Sequence, residues 1–258
     1  MIIRIGRSRL GIGVLSLFML YSIGSAAWAH GIQTIGGQYE PARRPTTWLE
    51  WFLPEAQSAA HVREDRQGGY RYIESDGLAD HVTGDFPNRN NPHRIRRQNH
   101  RFRTPLIPRF TGRDTPNRHA NFGVALNGVP FDPATAEFYR NDQRWNLEAI
   151  GGRRNLGLDD GNGHVQPNGA YHCHGLPWGM LDRLPYRDGP VLLGWAADGY
   201  PIYGPYGYRD GKDPSGGVVD LRSSYRLKTG SRSGGPGGWH DGRYTADWEY
   251  QENHGWRR

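Results

Sequence analysis

Between Gly163 and Pro177 the chain reads GHVQPNGAYHCHGLP, and three of its 11 histidines, His164, His172 and His174, fall in this stretch. Neutral imidazole is a borderline ligand favoured by zinc and copper, and three rings on one surface would form a metal site with an open position. Local folding decides whether they share a surface. Gln166-Pro167-Asn168-Gly169 fits a type I turn, with Pro at its second position and a following Gly that closes a three-residue hairpin loop through a bulge. With residues 167–169 as the loop, Gln166 faces Ala170, Val165 faces Tyr171 and His164 faces His172.

Successive strand side chains point to opposite faces, so His172 and His174 lie together while Tyr171 and Cys173 point away. Alpha carbons two apart on a strand are roughly 6.6–6.8 Å from each other, within reach of an ion bonded at about 2.0–2.1 Å to each ring. A two-residue loop would invert His164, because a one-residue slip exchanges the faces. The spacing therefore predicts a transition-metal site, for copper or zinc, on His164, His172 and His174. Iron would suit the site if a carboxylate completed the set. The plainer alternative is a hydrogen-bonded polar hairpin.

Other chemistry-bearing residues have weaker patterns. Cys173, the single cysteine, reads as a small buried side chain without an activating partner. Asp198, before Gly199, would either orient a histidine through its second nitrogen or cap a turn. Asp159-Asp160-Gly161-Asn162-Gly163 lacks the spacing and distal glutamate of an EF-hand and reads as a turn. The run Tyr200 to Tyr208 could stack a sugar or another flat small molecule, or pack as core beneath a crossing loop. No GxSxG, Walker or dinucleotide-binding pattern occurs, and no reaction is assigned from the residues.

The elements that must position these residues are expected to be mainly β. The 37 glycines, 18 prolines, 14 tyrosines and 9 tryptophans suit a single β-rich, sandwich-like domain with many Gly/Pro turns and few short helices. Tyr70-Arg71-Tyr72-Ile73 reads as a strand, the Asn127-Gly128 step as a hairpin turn between apolar runs, Pro190 to Ala197 as a buried strand and Tyr244 to Tyr250 as a last strand. Pro133 to Arg140 is expected to form a short helix. Asn88 to Arg103 is basic and polar with some alternation, but it lacks interleaved aromatics apart from Phe102, so it reads as a solvated stretch and not a nucleic-acid surface.

Residues 30–69 read as an arm, with an apolar docking segment at Thr47–Leu53 and a polar, at best helical, stretch from Glu55 to Gly69. The domain is placed at 70–250, followed by a tail at 251–258. Residues 1–29 have the order of a secretory signal: Arg4, Arg7 and Arg9, an apolar run from Leu10 to Ile23, then Ala27-x-Ala29. Cleavage there predicts a secreted or periplasmic protein with no stable membrane span, and it would expose the amine and imidazole of His30 as a further copper-chelating pair. Removing three arginines and no acids lowers the formal charge from +6 to +3, too little to argue for nucleic acid.

Gly169-Ala170-Tyr171-His172-Cys173-His174-Gly175-Leu176-Pro177 resembles the signature of the YHYH-domain proteins. GVALNGVPFDP from Gly123, GHVQP from Gly163 and AADGYPIYGPYGY from Ala196 also match, and the similarity extends from about Tyr72-Ile73-Glu74-Ser75 and Asp80-His81-x-Thr83-Gly84 to Tyr250. The resemblance implies an exported protein and brings no established activity. Cys173 stands where the family name has its second tyrosine, so a phenol ligand or tyrosyl radical there would be missing. His81, inside a resembling segment, becomes a fourth candidate ligand, against the reading of a histidine tied into its own turn. Two other readings remain beside a metal protein: a carbohydrate or cell-envelope binding module using Tyr200–Tyr208, and a structural protein without metal.

Overall fold

The computed structural model describes residues 60–113, 121–151 and 155–252. The expected signal, His30, the Thr47–Leu53 segment and residues 253–258 of the tail lie outside them. The first strands are β1 (Ala60–Asp65), β2 (Tyr70–Ser75), β3 (His100–Pro105), β4 (Gly123–Ala125), β5 (Pro130–Phe131), β6 (Phe138–Tyr139), β7 (Asp142–Asn146), β8 (Gly163–Val165) and β9 (Tyr171–Cys173). After the one-turn helix α1 (Trp178–Leu181) come β10 (Leu192–Ala196), β11 (Pro201–Tyr203), β12 (Tyr206–Asp210), β13 (Asp213–Asp220), β14 (Tyr225–Leu227) and β15 (Trp248–Tyr250). The domain is mainly β, as its turn-rich composition predicts. Among the described residues no helix is long and apolar enough to cross a membrane.

The central sheet runs β11-β10-β4-β5-β9-β8. Its pairings are antiparallel except β5 with β9, which run parallel through Phe131 and Cys173. One face carries the core: Val165, Tyr171, Cys173, Phe131 and Leu193 are buried there with Met180 and Leu181 of α1. Burying one such large side chain contributes about 1.5–3 kcal/mol. Gly163 is required in this layer, since a Cβ would overlap the Tyr171 phenol.

A second sheet, β1-β2-β3, sets Val62, Ile73 and Phe102 against Val124 of β4 and Trp195 of β10. Ser75 ties the two sheets through a 2.8 Å hydrogen bond from Oγ to the Gly128 carbonyl in the β4–β5 turn. The boundary expected at Tyr70 therefore falls inside a sheet, with Ala60–Asp65 paired residue for residue to Tyr70–Ser75. The helical reading of Glu55 to Gly69 is corrected for the same reason over its described part, residues 60–69, while residues 55–59 lie outside the described residues. Ala60 and Val62 point inward while His61 and Arg63 point out, the alternation of a half-buried strand.

Pro133 to Arg140 forms no helix. The Asn146 amide donates to the carbonyls of Thr135 and Glu137 at 2.8 and 3.0 Å, and Leu147 N donates to the Glu137 carbonyl at 2.9 Å. Arg140 and Asn141, at φ 48° and 62°, then supply the left-handed pair of a hairpin turn between β6 and β7. In the basic stretch, His100–Pro105 is a strand that pairs with β2.

A third cluster, Trp145, Leu147 and Tyr244, adjoins a buried charge network. Asp247 is fully buried and accepts hydrogen bonds from Arg232 Nε at 2.8 Å, Arg232 Nη2 at 2.7 Å, His240 Nδ1 at 3.0 Å and Tyr244 N at 3.2 Å. Burial pushes its carboxyl up, but the bonds from Arg232, His240 and Tyr244 outweigh that and hold it well below the ordinary 3.8. A depressed folded value stabilises the fold above the unfolded value and loses that contribution as pH falls below it. Asp247→Ala leaves Arg232 with Asp241 as its one remaining carboxylate partner among the described residues and is expected to cost about 3–5 kcal/mol. Urea unfolding at pH 7 measures that loss, and the gap between wild type and variant should narrow below about pH 4.

Candidate metal centre

The hairpin forms in the expected register. Gly169 N donates to the Gln166 carbonyl at 2.8 Å, Gln166 N to the Ala170 carbonyl at 2.9 Å, and Gly169 takes φ 88°. Pairing then runs Val165 with Tyr171, His164 with His172 and Gly163 with Cys173. Tyr171 and Cys173 enter the core, which sends His172 to the other face, and His174 N is anchored on the Asn162 carbonyl at 3.0 Å just past the strand.

The three rings converge. Their centroids are 5.4 Å apart for His164 and His172, 5.7 Å for His164 and His174 and 4.8 Å for His172 and His174. One ring nitrogen from each lies within 4.8 Å of the others, and the Nε2 atoms of His172 and His174 are 3.1 Å apart. Bonds of about 2.0–2.1 Å to both atoms would subtend roughly 100° at an ion, compatible with tetrahedral coordination.

Carbonyl oxygens only accept, which fixes two tautomers. His164 Nε2 is 2.9 Å from the Leu156 carbonyl, so it carries the proton and leaves Nδ1 as the donor atom. His172 Nδ1, 3.3 Å from the Ala170 carbonyl, carries the proton there and leaves Nε2 free for its neighbour. His174 Nδ1 is buried without a hydrogen bond.

Burial governs the protonation of all three. It lowers His174 to about 3, reinforced by His172 and His164. His172 is lowered by burial against the opposing Ala170 carbonyl and Asp132, and His164 by burial against the Leu156 carbonyl. The rings are thereby held neutral, the form that ligates metal.

His81 is not brought to this group. Its Nδ1 lies 3.3 Å from Asp80 Oδ1 and its ring sits 6.4 Å from the ring of Tyr171, whose side chain occupies the core face of β9. Asp198 is exposed and caps its turn, with Tyr200 N 3.4 Å from its Oδ1, so the reading in which it orients a histidine is set aside. Asp159 is a turn anchor, accepting from Gly163 N at 2.6 Å, Tyr171 Oη at 2.8 Å and Gly84 N at 3.1 Å. Burial pushes the Cys173 thiol far up, consistent with an inert core side chain. The Tyr200–Tyr208 run is divided: Tyr200 and Tyr203 are exposed, while Tyr206 packs on Tyr186 with 5.7 Å between ring centroids.

Two neighbours of the site carry no signal in the hairpin sequence: the Leu156 carbonyl and Asp132. Leu156 acts through its main chain, which no side-chain pattern reveals. The step from core Phe131 to Asp132 would have marked the latter, had the pairing of β5 with β9 been known.

The YHYH protein model matches residues 101–256. The chain belongs to this family. No curated protein and no solved structure matches it. The matched span starts inside β3, so Tyr72–Gly84, including His81, precedes it. Within the family motif, residues 171 and 173 face the core and residues 172 and 174 the site. The departure of Cys173 from tyrosine thus falls on the core face, away from the converging histidines.

The lowered histidines give a pH dependence for the metal-free protein. The unfolded chain takes up protons near 6.5 that the folded rings refuse, so stability is complete above that value and declines as pH falls towards about 3. The urea midpoint of metal-free protein is expected to drop between pH 6.5 and 4.5, and His174→Gln to flatten that drop. A midpoint unchanged across the interval would contradict burial of neutral rings.

Proposed function

We propose that this YHYH-family protein binds one transition-metal ion, copper or zinc, through His164, His172 and His174. The observation that carries the reading is the convergence of three imidazole nitrogens within 4.8 Å on one side of the β8–β9 hairpin. Held neutral by burial, these rings offer lone pairs without first having to shed protons. His164 is only half-buried, which leaves the ion approachable from its side. Such a centre would polarise a small molecule or water entering that position. The basic-then-apolar order of residues 1–29 supports a secreted or periplasmic location.

A metal-free structural role is the second reading, favoured by the same 3.1 Å approach of His172 and His174, since a proton between the two Nε2 atoms makes a hydrogen bond. The readings differ in elemental analysis. Purified protein is expected to carry about one equivalent of copper or zinc, and His172→Ala/His174→Ala to carry none. Saturating a stripped sample to a hundred times its dissociation constant should stabilise it by about 2.7 kcal/mol, or ~5–10 °C in Tm. Stripped wild type whose Tm does not respond to either ion, with a double variant that is merely less stable, establishes the structural reading instead.

A further inference from the structure

Directly after the strand beside the three neutral rings lies a buried carboxylate that no lysine or arginine among the described residues pairs with. Phe131 and Cys173 are partners across the parallel β5–β9 pairing, and both enter the core. Alternation therefore turns Asp132, the next residue, to the face of His172 and His174. Asp132 N donates to the Cys173 carbonyl at 2.9 Å, locking the main chain of residue 132 beside the strand that carries both histidines.

The Asp132 side chain is held in place by neutral groups. Oδ1 accepts from Ala134 N at 3.1 Å, and Oδ2 lies 3.4 Å from Nε2 of Gln166. Gln166 lies two residues beyond His164 on the same strand line, so its amide joins the site face to this carboxylate. Asp132 is only 9% exposed, and no lysine or arginine among the described residues pairs with it. Burying such a group without a counter-charge is costly. The cost is removed when a cation occupies the neighbouring histidine site. Asp132 is also felt at His164 and His172, where it opposes the effect of burial.

Resting on the metal reading above, we infer that Asp132 is the charge-compensating residue of the centre and makes it selective for a dication over a monocation. Its oxygens are not among the three converging ligand atoms. Its contribution comes from its field, already felt at His164 and His172, with the Gln166 amide beside its Oδ2. A field acts in proportion to the charge it meets. Zn(II) therefore gains twice the free energy that Cu(I) gains from the same carboxylate.

Asp132→Asn keeps the size of the side chain and its acceptor for Ala134 N, and the Gln166 amide can reverse to accept from the new group. Dissociation constants of stripped wild type and variant are measured by chelator competition, with Zn(II) in one series and Cu(I) under reductant in the other. The variant is expected to bind Zn(II) about 10–100-fold more weakly and Cu(I) only ~3–10-fold more weakly, the square root of the first factor. Its Tm without metal should stay level or rise, because a buried anion has been removed. Equal losses for the two ions, or unchanged affinity for Zn(II), would overturn the assignment, as would a metal-free variant that is markedly less stable. Wild type that binds neither ion overturns the metal reading itself and is distinguishable from these outcomes.

Discussion

Strand β9 is shared between two environments, and that division organises the rest of the molecule. Tyr171 and Cys173 are among the most deeply buried side chains, packed with Val165, Phe131, Met180 and Leu181. Because a strand cannot turn two successive side chains to one side, the hydrophobic drive that buries residues 171 and 173 forces His172, and with it His174, onto the opposite face. A slip of one residue would bury imidazoles in the apolar layer and set a tyrosine and a thiol on the polar histidine face, which makes the register costly to change. The histidine arrangement is thus a consequence of core packing on the other side of the same strand.

That packing also sets the electrostatics of the site. His172 and His174 are buried and His164 half-buried, and desolvation disfavours their charged forms. Three neutral imidazoles converge on the face towards which the buried Asp132 carboxylate is turned. The opposite arrangement occurs in the third cluster, where Asp247 has its cation built in as Arg232. There the charges are closed within the protein, and the network reads as structure. Asp247 is ion-paired within the fold, whereas no lysine or arginine among the described residues pairs with Asp132.

Membership of the YHYH family fits this two-sided strand. The letters of its motif alternate between ring types, and the fold sends the first and third positions to the core and the second and fourth to the site. A cysteine at the third position changes the filling of the core and leaves the histidine face intact. His81 lies on the core side of that division, against Tyr171, which separates it from the trio.

What the sequence determined by itself is local. A proline and a glycine around Asn168 dictate a tight reversal, and the period of two then places His164, His172 and His174 together, because turn dihedrals and strand alternation involve only neighbours along the chain. The β1 strand is legible in the same way, through the alternation of Ala60 and Val62 with His61 and Arg63, although its polar neighbours weaken that signal. Tertiary structure decided the remainder. Asp132 reaches the site through a parallel pairing across some forty residues, and Leu156 through a main-chain oxygen, neither of which a side-chain pattern encodes. Likewise Pro133 to Arg140 leads into the first strand of the β6–β7 hairpin instead of a helix, because Asn146 and Leu147, farther along the chain, occupy the Thr135 and Glu137 carbonyls. Contacts of that range depend on which surfaces the whole chain buries together, and only the folded molecule fixes that choice.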